Sequence, residues 1–215
     1  MMAINGKFPG AGYTDNKTGE PAGALAANLG RMPNLECNQG GVGQSTAINF
    51  FVASTNNLMG DNVFEAAKIL ELSEHIGEIK KCWYDIVPYG SEASTEQLDK
   101  FFTAGGTDSD GVAGSRGDRF GKWFVGRIEA SLTGTGFAVG NRLSLADVLI
   151  YNCFAETMTE AENAEKTAAQ REPFTSAART NELIAKSPKI LASIAAVKAN
   201  ENVQKWLATR GPQYF

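Results

Sequence analysis

The chain has 215 residues, 43 % of them hydrophobic, enough to bury a substantial core in one domain or two small ones. Charged residues make up 20 % and the net charge is only −4, which excludes a basic surface for nucleic acid or anionic lipid. The 3 cysteines, Cys37, Cys82 and Cys153, have neither metal spacing nor a disulfide framework, and the single histidine, His75, excludes a multi-histidine metal site. A reducing compartment such as the cytoplasm is expected, no apolar stretch is long enough to cross a bilayer, and the first residues lack a signal-peptide core.

Residues 1–30 are rich in Gly, Pro, Asn and Thr, so they read as one short strand near residues 2–5 followed by loop, with a brief helical turn at 22–28. Next comes Leu-Gly-Arg-Met-Pro-Asn-Leu-Glu-Cys-Asn-Gln-Gly-Gly-Val-Gly-Gln-Ser-Thr-Ala-Ile, residues 29–48, the most informative stretch of the chain. Pro33 biases Met32 toward extended geometry and leaves its N–H and C=O free for an extended ligand. Residues 34–38 and the few residues before Gln44 form a short hairpin. Gln44-Ser45 then stands where the glycine-rich turn gives way to the apolar run Ala47, Ile48, Phe51 and Val52, which is a helix start. First-turn amides there face outward unsatisfied, ready for a carboxylate. A P-loop reading of Gly-Gly-Val-Gly-Gln-Ser-Thr fails, because Gln44 occupies the lysine position.

Gly60-Asp61-Asn62 is the hinge between two parts, residues 1–59 and 63–215. Residues 63–87 predict a long amphipathic helix, with Phe64, Ala67, Leu70, Ile76, Ile79 and Trp83 toward a helical bundle. Residues 88–117 read as an exposed excursion around a short helix at 95–103. Helical periodicity returns over 119–132 and is stopped by Gly134 and Gly136. Ser144, followed three residues later by Asp147 and an apolar run, is a capping box, a folding role. Residues 157–180 read as a solvated helix and loop, and Pro188 opens one of the last helices.

Gly30-x-x-Pro33-x-Leu35-Glu36, a turn, and Gln44-Ser45-x-Ala47-Ile48 resemble the glutathione-binding edge of the glutathione S-transferases. Val139-Gly140-x-x-Leu143-Ser144-x-Ala146-Asp147 is similar to the motif before that family's buried helix, and residues 187–207 resemble its last helices. The motifs fall in the family's order over about residue 18 to the C-terminus. The resemblance, of the sigma-like kind, implies an α+β chain: a partial thioredoxin-like N-terminal domain at 1–59 and an all-α C-terminal domain at 63–215. By the same resemblance Met32-Pro33 is a cis pair whose backbone meets the cysteinyl unit of glutathione, and Gln44 and Ser45 hold its γ-glutamyl end. The family's paired acidic residues on the long helix fall on Leu70 and Glu74, so one carboxylate survives; a solvated role for Glu74 competes equally with a γ-glutamyl contact.

Other family positions are missing. The Trp and Lys that some classes use for the glycyl carboxylate fall on Ala22 and Ala26. The family activates the glutathione sulfur with a hydroxyl at the end of a first strand, because the thiolate is the nucleophile. That strand, its helix and loops would need ~20 more residues ahead of the proline than are present. Tyr13 is the one hydroxyl aromatic in the first 15 residues, and its Gly-Ala-Gly-Tyr-Thr-Asp context is turn-like, so the catalytic residue stays unidentified. Two functions compete. One is a glutathione-binding protein that conjugates or isomerises small hydrophobic electrophiles; the other is a non-catalytic subunit of a larger assembly, using the fold for binding or structure. A homodimer or larger complex is expected, with no metal.

Overall fold

The computed structural model describes residues 2–5, 8–9, 12–13, 25–88, 91–104, 119–155 and 177–209. Two-residue strands β1 (Phe8–Pro9) and β2 (Gly12–Tyr13) pair in parallel. A 3-10 turn over Ala26–Asn28 leads to the hairpin β3 (Asn34–Cys37) and β4 (Gly40–Gly43), antiparallel with Leu35 opposite Val42. Helix α1 (Ser45–Thr55) completes the N-terminal part, and α2 (Val63–Ile86), α3 (Thr95–Thr103), α4 (Gly121–Ser131), α5 (Leu145–Phe154), α6 (Ala177–Ile184), α7 (Pro188–Lys198) and α8 (Glu201–Thr209) follow. This is the α+β architecture expected, a β-hairpin and helix ahead of an all-helical region. The expected elements at 105–117, 157–176 and residue 22 lie outside the described residues.

Helix α5 is the centre of the bundle, packed between α2 and α7. Its Leu145, Ala146 and Ile150 are fully buried and Phe154 nearly so; each large apolar side chain contributes about 1.5–3 kcal/mol by leaving water. The Ser144–Asp147 capping box forms as read from sequence. The Asp147 carboxylate accepts from Ser144 N (2.9 Å), Ser144 Oγ (2.8 Å), Ala138 N (2.7 Å) and Ser193 Oγ on α7 (2.7 Å), so one side chain caps α5, fixes the preceding loop and clamps α7.

The start of α2 is held as firmly. Asn62 Oδ1 accepts from Glu65 N at 3.0 Å, and Glu65 Oε2 accepts from Asp61 N at 2.7 Å. Arg142 straps this junction by donating to Asp61 Oδ1, Asn57 O, Asn57 Oδ1 and Gly60 O. Pro188 stands at the start of α7, whose amides at Lys189 and Ile190 donate, both at 2.9 Å, to the two carboxylate oxygens of Glu129 on α4.

Two expectations are corrected. Residues 2–5 form a 3-10 turn rather than a strand. Asn5 donates to Asn56 O and Asn56 Oδ1, and Asn202 Nδ2 on α8 donates to Ile4 O, so side chains bind the turn where a strand would need a neighbour. On α2 the buried face is Ile69, Leu72, Ile76, Ile79 and Trp83, whereas Phe64 and Ala67 are exposed and Leu70 is only half-buried. The reason is phase. The six residues from Leu70 to Ile76 rotate the helix by about 600°, some 120° short of two turns, so both cannot share one face.

Candidate functional site

The loop between the Ala26–Asn28 turn and β3 carries a cis peptide between Met32 and Pro33. Among the described residues the backbone N–H and C=O of Met32 make no hydrogen bond, and its side chain is 58 % exposed. Both groups are therefore available to an extended ligand laid along the loop.

At the other end of the hairpin, Gln44 precedes α1 with φ +68° and ψ +128°, a left-handed φ that a side chain other than glycine rarely adopts. No side chain caps α1. The amides of Ser45, Thr46 and Ala47 thus point outward without intrachain partners among the described residues, beside the exposed Ser45 hydroxyl. Glu74, exposed on α2, lies at this same helix start: Thr46 Oγ1 donates to Glu74 Oε1 at 3.4 Å. Amide donors and a carboxylate side by side match the two ends of an amino-acid zwitterion.

Asn28 joins the two halves, and sequence reasoning missed it. It is 4 % exposed and its Nδ2 donates to Pro33 O at 2.8 Å, which fixes the cis-proline loop. Its side chain also fills the space above Gly43: a Cβ on that glycine would stand 2.4 Å from Asn28 Cβ. Gly43 is thus required by close approach, and one buried amide sets the spacing from Met32-Pro33 to Gln44-Ser45. The available signal was the glycine immediately before Gln44.

Tyr13 stands in β2, outside the segments that form this edge. Ser144 and Asp147 are in the α5 cap, as expected. Cys82 on α2 is no thiolate source: burial, with help from the nearby Asp85 carboxylate, pushes it up to about 11, and its Sγ–H donates to Arg119 O at 3.0 Å. A separate cleft of about 420 Å³ is lined by Asn5, Asn56, Asn57 and Arg142, among others, and none of its lining residues belongs to the cis-proline edge. Among the described residues no helix is long and apolar enough to cross a membrane, and no group of three or more His, Cys, Asp or Glu is placed to hold a metal.

A β-hairpin entered through a cis X-Pro bond, a helix start at Gln-Ser and a bundle centred on a Ser-x-x-Asp-capped helix define a glutathione-transferase-like protein. The family model "Glutathione S-transferase, C-terminal domain" matches residues 118–210. The chain is 26 % identical over 213 residues to "Probable glutathione S-transferase 5" of Caenorhabditis elegans, covering 94 % of this chain and 86 % of that protein. Among solved structures, a nematode-specific GST of C. elegans aligns with a TM-score of 0.62 at 23 % identity, covering 99 % of this chain and 91 % of that one. The monomeric Na-GST-3 of the hookworm Necator americanus aligns with a TM-score of 0.60 at 23 % identity, covering 88 % and 79 %. The chain is thus similar to glutathione S-transferases along most of its length and matches their C-terminal domain over residues 118–210.

Proposed function

We propose that this protein binds glutathione along the edge from Met32-Pro33 to Gln44-Ser45. The observation that carries the reading is the uncapped start of α1, whose free amides and Ser45 hydroxyl stand beside the Glu74 carboxylate. The γ-glutamyl carboxylate takes the amides, where the helix dipole favours negative charge, and its ammonium takes Glu74. The Gln44 side chain flanks the same group, and the cysteinyl unit pairs with the Met32 backbone in the manner of an added strand. Leu29 and Met32, 83 % and 58 % exposed, supply apolar surface beside the cis-proline for a small hydrophobic electrophile.

Binding and conjugation separate here. Conjugation needs a donor that stabilises the sulfur as thiolate, and we assign no residue to that task. Retention of the natural chain on immobilised glutathione, abolished by Ser45→Ala with Gln44→Ala, is the expected result; a natural chain that is not retained contradicts the reading. Conjugation of an aryl halide above the uncatalysed rate distinguishes an enzyme from a glutathione-binding component of an assembly. Cys37, Cys82 and Cys153 form no disulfide with one another, which fits a reducing intracellular compartment.

A further inference from the structure

The candidate edge draws on two helices that meet at one junction. Its amide donors stand at the start of α1, and its carboxylate, Glu74, lies about three turns into α2. On α1 only Val52 and Ala53, both near the junction, are fully buried, whereas Ser45, Thr46, Ala47 and Phe50 are exposed. Among the described residues the only hydrogen bond between α1 and α2 runs from Thr46 Oγ1 to Glu74 Oε1, and at 3.4 Å it is long. Packing does not set the gap at the ligand end, so the junction must. Residues 56–62, which form it, are pinned from a third place in the chain. Arg142 Nε donates to Asp61 Oδ1 at 2.7 Å, and its terminal nitrogens donate to Asn57 O, to Asn57 Oδ1 at 3.3 Å and to Gly60 O at 2.6 Å. The amide of Leu145 adds a bond to Leu58 O at 2.8 Å. Asn57 and Gly60, whose carbonyls Arg142 holds, have φ of +58° and +78°, and Asn57 adopts this left-handed backbone with a side chain in place. The loop carrying Arg142 is fixed to the bundle, because Asp147 accepts from Ala138 N on one side of it and from Ser144 N on the other.

We infer that Arg142 is a positioning residue for the glutathione site: it fixes the angle between α1 and α2 and, through that angle, the gap between the α1 amides and Glu74. Helix α1 is ~15 Å long, so a change of about 10° at the junction moves its start by ~3 Å, far more than a hydrogen bond tolerates. A zwitterion can then keep the amides or the carboxylate, but not both. The spacing from Met32-Pro33 to Gln44-Ser45 is held separately by Asn28, so the change falls on Glu74 and leaves the cysteinyl contact alone. This role presupposes the glutathione site proposed above and confines the effect of Arg142 to the γ-glutamyl end.

Titration calorimetry and a distance measurement on the full chain test it. Arg142→Met is expected to weaken glutathione about tenfold and to leave cysteinylglycine within about twofold. A further Glu74→Gln change is then expected to cost almost nothing, because the carboxylate is already out of reach. Spin labels on cysteines introduced at Ala47 and at Gly77, where an added Cβ meets nothing within 4 Å, report the gap in a chain whose Cys37, Cys82 and Cys153 are replaced by Ala. Their separation is expected to shift or spread by ~3 Å in Arg142→Met. Arg142→Lys, whose single ammonium cannot reach all four acceptors, is expected to fall between the natural chain and Arg142→Met in both measurements. A natural chain that binds the two ligands equally overturns the glutathione reading itself. A natural chain that prefers glutathione, with a preference or a label separation that Arg142→Met leaves unchanged, overturns the role of Arg142 alone. Loss of both ligands together in Arg142→Met overturns it equally and reduces Arg142 to a folding residue.

Discussion

At the scale of single residues, three side chains carry predictions. Asn28 is buried between the cis-proline loop and Gly43, so Asn28→Ala removes the bond to Pro33 O and leaves a void at the hinge of the site. Glutathione affinity is expected to fall about tenfold with the helical circular dichroism retained; unchanged affinity would remove Asn28 from the site. Asp147 accepts four hydrogen bonds, yet burial raises its carboxyl above the ordinary range. A raised folded-state pKa means that the folded chain keeps this proton to higher pH than the unfolded chain does. Its contribution to stability is therefore full below the unfolded value near pH 4 and is lost as pH rises through the folded value. In Asp147→Asn the amide NH2 must face the N–H of either Ala138 or Ser144, which lowers stability by about 2–3 kcal/mol and removes that pH-dependent loss. Urea unfolding of both chains from pH 4 upward checks both parts. Cys82, held near 11, is expected to alkylate at pH 7.5 at least about a hundredfold more slowly than an ordinary thiol, as read by mass spectrometry of the labelled chain; comparable rates would mean that its burial is misjudged.

At the scale of elements, helices with local punctuation were readable. Ser144 to Asp147 and Pro188 each mark a helix start because capping is a short-range event that sequence displays directly. What the sequence does not display is a cap supplied from elsewhere. The amides of α7 are satisfied by Glu129, some sixty residues earlier on α4. Glu129→Ala is expected to lower stability by about 1–3 kcal/mol, seen as a shifted urea midpoint, because two part-buried donors lose a charged acceptor. An unshifted midpoint would show that water replaces the carboxylate. The outer face of α2 was misassigned for a different reason: Phe64, Ala67 and Leu70 satisfy a helical period as well as the true core residues do, and only the neighbouring helices decide which phase is buried.

At the scale of the whole molecule, the order of motifs indicated the architecture, since the Ser-x-x-Asp cap lies about a hundred residues beyond the cis-proline loop and the Gln-Ser helix start and still meets one fold with them. The geometry of the candidate edge, a cis-proline loop and a helix start, was legible where its contributors are backbone and adjacent in sequence, at Met32-Pro33 and Gln44-Ser45. It was not legible at Asn28, whose role exists only after the hairpin folds back, and Glu74 gained its place through the approach of Thr46 on another helix. The central claim is that the start of α1 holds the γ-glutamyl end of glutathione. Titration calorimetry with glutathione and with cysteinylglycine, which lacks that end, tests it directly. The account predicts that glutathione binds at least about tenfold more tightly and that Ser45→Ala with Gln44→Ala erases most of the difference; equal affinity for the two ligands in the natural chain would contradict it.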